Sequence, residues 1–173
     1  MKLKSVLRKL SSESLRKILE FWEIPAPTGD ELADLVANES SAVEYLYPRL
    51  QQRHHFDVAF EKLDPTERDL VHFLAMHGGD LEKGEVLERL YRGNEEVMDE
   101  LVATLSGKGF AFYDKIVEEP AAPLMAGLPE PYLRFIELPA FWEGYLGYFL
   151  RNLSNQALRN LATQGLKLPV EST

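Results

Sequence analysis

Between Asp64 and Tyr113 the chain is punctuated so closely that an order of elements can be read from it. Asp64-Pro65-Thr66-Glu67 is a helix start. It offers an acidic cap, a proline at the first helical position, where no intrahelical amide bond is lost, and a carboxylate placed to close a capping box. Leu70, Val71, Phe73, Leu74 and Met76 follow at helical spacing, and Gly78-Gly79 stops the run. A short helix is predicted from Lys83 to Tyr91 with Val86, Leu87 and Leu90 inward. Gly93-Asn94 makes the next turn. Asn94 caps a third helix through Val97, Met98, Leu101, Val102 and Leu105, which Gly107-Lys108-Gly109 ends. Phe110-Ala111-Phe112-Tyr113, aromatic and preceded by glycine, is predicted as a strand.

Three helices and then a strand is the order of a winged helix-turn-helix. The wing needs a second strand, and the alternation in Tyr132-Leu133-Arg134-Phe135-Ile136-Glu137 makes it the expected partner. Pro120, Pro123, Pro129 and Pro131 between the two predict an extended wing loop. The fold class expected is mainly α, a winged helix-turn-helix core with a small β wing, flanked by helical units. The expected units are residues 1–60, 61–138 and 139–173.

In the first unit, Leu7, Leu10, Leu15, Ile18, Leu19 and Trp22 have helical spacing, with Ser11 or Ser12 as a cap. Pro25, Pro27 and Gly29 break the chain. A second helix is expected from Thr28 or Asp30 through Leu32, Leu35 and Val36. A third is expected near Ser41 to Gln52, with Pro48 ending or kinking it. Near the C-terminus, Leu150-Arg151-Asn152-Leu153-Ser154, continuing to Leu158-Arg159, echoes Leu7-Arg8-Lys9-Leu10-Ser11 continuing to Leu15-Arg16. Residues 5–25 and 148–169 are therefore expected to share one helix-turn-helix shape and to lie near each other. The second copy stops where the first continues into a partner helix, so the chain reads as the N-terminal piece of a longer protein.

Charge and composition then limit function. The chain has 173 residues and no cysteine, which excludes disulfides, thiolate metal sites and a cysteine nucleophile. No run approaches the length of a membrane span and no signal-peptide core is present, so the cytoplasm is the expected address and no membrane partner is expected. The formal net charge is -9, which opposes attraction of the whole surface to nucleic acid. The charge is uneven. Residues 1–24 carry six bases against three acids, and residues 61–108 carry twelve acids against six bases.

No catalytic, cofactor or metal site is expected. His54 and His55 are adjacent, so their rings should diverge on a helix. His72 and His77 are five apart, off the spacing of a helical metal pair, and all four histidines are expected to be exposed or partly packed. Gly107-Lys108-Gly109 lacks the remaining glycines and the hydroxyl residue of a phosphate loop. The third helix is acidic where a groove-reading helix carries bases. Nucleic acid, if bound, is expected on the basic ends, through Lys4, Arg8, Lys9, Arg16, Lys17, Arg151 and Arg159. A protein partner is expected on Trp142, Tyr145 and Tyr148 and on the acids Glu96 and Asp99.

The segment from Asp64 to Tyr113 resembles the winged-helix region of bacterial helicase-associated proteins. The resemblance lies in Leu63-Asp64-Pro65-Thr66-Glu67-Arg68, Gly78-Gly79 and Val97-Met98-Asp99-Glu100-Leu101 before an aromatic strand. Leu10 to Ala37 resembles a SAP-type helix-loop-helix around Ile24-Pro25-Ala26-Pro27-Thr28-Gly29, but carries Asp30-Glu31 where such modules place bases. The resemblance implies a non-catalytic accessory region of nucleic-acid metabolism or transcription. The alternative is a protein-protein adaptor without nucleic-acid contact.

Overall fold

The computed structural model describes residues 2–25, 39–115 and 124–137. Seven α-helices and three strands lie within them. Helices α1 (Leu3–Arg8) and α2 (Ser12–Phe21) lie on either side of the expected serine cap. Ser11 separates them because its hydroxyl caps α2, accepting from the Ser14 amide at 3.2 Å. α3 (Glu39–Leu50) carries Pro48 in its last turn and ends two residues later. α4 (Arg53–Glu61) follows after a short turn. The predicted helix at Leu32, Leu35 and Val36 lies outside the described residues.

α5 (Pro65–Met76) starts as its sequence dictates. The Glu67 amide donates to the Asp64 carboxylate at 2.8 Å, and the Asp64 amide donates to the Glu67 carboxylate at 3.0 Å. At the other end Gly78 and Gly79 take φ of +88° and +96°, and Gly79 returns its amide to the Leu74 carbonyl at 2.8 Å. β1 (Asp80–Glu82) leads into α6 (Lys83–Tyr91), then α7 (Glu95–Gly107), which Asn94 caps at the Val97 amide. β2 (Phe112–Lys115) and β3 (Leu124–Gly127) complete an antiparallel sheet of order β1-β3-β2. Gly127 stands opposite both Asp80 and Phe112.

The second strand was expected at Tyr132–Glu137, and the structure overturns this. Residues Glu130–Glu137 form a 3-10 helix, and the partner of β2 is β3, inside the stretch expected to be loop. Two prolines explain the change. Pro129 and Pro131 have no amide for a ladder, whereas their fixed φ suits a helical start. The Tyr132 amide donates back to the Pro129 carbonyl at 3.0 Å.

α1 and α2 pack on α3, and α2 also reaches α7. The core is continuous from Leu3 through Leu50 and Phe56 to Met98, Phe110 and Tyr132. It therefore crosses the expected boundary at residue 60. Trp22 lies at its centre, fully buried. Its ring stacks on Phe110 at 5.1 Å and approaches Tyr132 at 5.5 Å and Phe56 at 6.1 Å. The expected C-terminal unit, and with it the second copy of the repeat, lies outside the described residues. In the first copy the recurring leucines Leu7 and Leu15 are buried and Leu10 is half-buried.

Candidate interaction surfaces

Gly107-Lys108-Gly109 is a structural joint. The Lys108 amine meets the Glu67 carboxylate at 2.7 and 2.9 Å, so its charge is already matched. Glu67 is 1% exposed, and its carboxylate serves both the helix cap and this ion pair. The Lys108 carbonyl accepts from the Trp22 indole at 2.6 Å. At Gly109, φ is +83°, and a Cβ there would lie 2.9 Å from Ile18 Cγ2. These contacts tie α2 to the end of α7.

On α7 the acids divide into two groups. Asp99 is held within the structure: Tyr113 donates to it at 2.6 Å and the Lys83 amine lies 2.9 Å away. Lys83 also meets Glu95 at 3.0 Å and sits over the Tyr113 ring. The Tyr113 hydrogen bond, and then Lys83, hold the Asp99 carboxyl below its usual range. The Asp99 bond in turn raises the Lys83 amine. Burial first, and then Asp99, push the Tyr113 phenol well up. Of the two α7 acids expected to meet a partner, Asp99 thus braces α7 against β2 and α6, while Glu96 is exposed. Glu100 is exposed too, and Val97 between them is 43% exposed.

The basic N-terminal residues are largely matched by acids. Lys4 meets Glu44 at 3.0 Å, Lys9 meets Asp114 at 3.8 Å, Arg16 meets Glu20 at 4.0 Å and Lys17 meets Glu13 at 3.7 Å. Exposed pairs of this kind contribute roughly 0.2–1 kcal/mol each, so a stronger anion could displace them. Arg8 is exposed at the end of α1. Arg151, Arg159, Trp142, Tyr145 and Tyr148 lie outside the described residues.

The histidines depart from expectation in two places. The His54 and His55 rings lie 4.0 Å apart and do not diverge, although the two residues are neighbours in the first turn of α4. His72 is fully buried and edges onto Phe60 at 5.5 Å. Among the described residues, no cluster of three or more His, Asp or Glu could hold a metal ion, and no helix is long and apolar enough to cross a membrane.

Sequence reasoning missed one corner. Arg49, Arg53, His54 and His55 gather at the α3–α4 turn, and Arg134 of the 3-10 helix donates to the Gln51 carbonyl there. The signal was available, since residues 45–56 hold no acid. The arrival of Arg134 had no sequence signal.

Comparison of the chain with protein-family models, with curated proteins and with solved structures gave no match.

Proposed function

We propose that this chain is a non-catalytic interaction module of winged-helix type, an accessory region in nucleic-acid metabolism or transcription. In this reading α7 meets a basic protein segment and does not enter a DNA groove. The order α5-β1-α6-α7-β2-β3, with a β1-β3-β2 sheet, supports the winged-helix part. The β2–β3 pair is then the wing.

The observation that carries the functional part is the exposed side of α7. Glu96 and Glu100 flank Val97 there, and the helix has no base along its length. Phosphates would be repelled by that face, whereas lysines or arginines around an apolar contact would match it. Titration with an arginine- and lysine-rich helical peptide tests this. Binding should weaken about tenfold in Glu96→Lys with Glu100→Lys, in line with the loss of two charge contacts. Unchanged affinity sinks the reading.

A second reading places nucleic acid on the basic ends, at Lys4, Arg8, Lys9, Arg16 and Lys17. It is favoured by the length and exposure of their ion pairs. Duplex DNA binding at low salt that Arg8→Glu with Arg16→Glu abolishes would support it.

A further inference from the structure

In a chain of net charge -9, one corner among the described residues gathers bases that lie far apart in the sequence. Arg49, Arg53, His54 and His55 flank the α3–α4 turn, and Arg134 of the 3-10 helix donates to the Gln51 carbonyl there. Arg53, His54 and Arg134 are exposed, and Arg49 and His55 are half-buried. Arg49 is fixed in place: its guanidinium lies 3.6 Å from the centre of the Tyr45 ring, and Nη1 donates to the Tyr45 carbonyl at 2.7 Å. The neighbouring imidazoles lie 4.0 Å apart. Asp57 stands one turn further along α4, four residues after Arg53, and is half-buried.

We propose that this corner binds single-stranded nucleic acid, with the three guanidinium groups on successive phosphates and the His54–His55 pair against a base. The inference rests on the nucleic-acid setting proposed above but makes no use of α7. A guanidinium presents a planar fork of donors that matches phosphate oxygens, and one already held on an aromatic ring loses less freedom on binding. An exposed imidazole offers a flat face to an unstacked base. A single strand suits the place better than a duplex. A duplex would carry its second row of phosphates over the acidic remainder of the chain, whereas a single strand has half the charge per length and bends away.

The test is an anisotropy titration of the full chain with labelled oligothymidylate and with duplex of equal length, at low and moderate salt. The single strand should bind more tightly than the duplex. Arg53→Glu with His54→Ala, both at exposed positions, should weaken it about tenfold. Arg53→Glu with Arg134→Glu should flatten the logarithmic salt slope by about 1.4, since each phosphate contact on a single strand contributes about 0.7. Asp57→Asn removes the opposing acid and should tighten binding, a gain that misfolding cannot imitate. No single-strand binding at low salt, a preference for duplex, or full affinity in Arg53→Glu with His54→Ala overturns the proposal. The peptide titration with the Glu96 and Glu100 variants reports separately on α7, so either idea can fail alone.

Discussion

At Gly109 a single methyl group would meet two penalties at once. The backbone lies in the left-handed region, φ +83°, and the added carbon would press on Ile18 Cγ2 at 2.9 Å and on the Trp22 indole nitrogen at 3.3 Å. Gly109→Ala is therefore expected to lower stability by about 2–4 kcal/mol, read from urea unfolding. Gly107 has open space around its Cβ position, so Gly107→Ala is the matched control and should show no comparable loss. Tyr132 gives the opposite expectation. It is 1% exposed, and its hydroxyl finds no hydrogen-bond partner among the described residues. Burial alone holds that phenol far above its ordinary titration range. Removing the oxygen removes a desolvated group and leaves the ring contacts with Trp22 and Phe110. Tyr132→Phe should be neutral or up to about 1 kcal/mol more stable. A clear loss of stability would mean that the hydroxyl has a partner.

Helix ends were the most legible elements, because caps are local chemistry. Asp64-Pro65-Thr66-Glu67, Asn94 and Gly78-Gly79 all act where their residue types place them. The sheet was poorly legible. β1 is a three-residue strand of sequence Asp-Leu-Glu, too short and polar to show a pattern. β3 is paired on both sides, and its Leu-Met-Ala-Gly carries no alternation. The alternation at Tyr132–Glu137 was real but sat behind two prolines. Of the candidate surfaces, the acidic helix could be read from its own residues. That Asp99 is held by Lys83 and Tyr113 could not, because those partners come from other elements. At the end of α5, His77 packs on Phe73 at 4.6 Å. Burial, and then Arg89, lower its pKa, and burial, His54 and Arg49 lower that of His55. Both fold best in the neutral form. Their contribution is complete above the unfolded value near 6.5 and is lost as pH falls below it toward the folded value. The melting temperature should therefore fall between about pH 7 and about pH 5, and less steeply in His77→Gln. An identical slope in that variant would count against the assignment to His77.

Across the whole molecule, the apolar core takes no notice of residue 60. Trp22 and Phe56 from one side of it share a ring cluster with Phe110 and Tyr132 from the other. A further ion pair, Lys62 with Glu23 at 2.8 Å, bridges the same two parts. Unfolding should accordingly be one transition. Fluorescence of Trp22, read in a Trp142→Phe background, should trace the same denaturant curve as far-ultraviolet circular dichroism. Two separated curves would mean that the halves unfold independently. The Trp22 cluster also bears on how the chain can be divided. A fragment beginning at residue 61 would keep Phe110 and Tyr132 but lose the three rings that shield them, Trp22, Phe56 and Phe60. Phe110 and Tyr132 would be left as an open aromatic face, and such a face sticks to its own kind. The sheet-bearing half is thus one that cannot be expressed clean without the four helices that precede it.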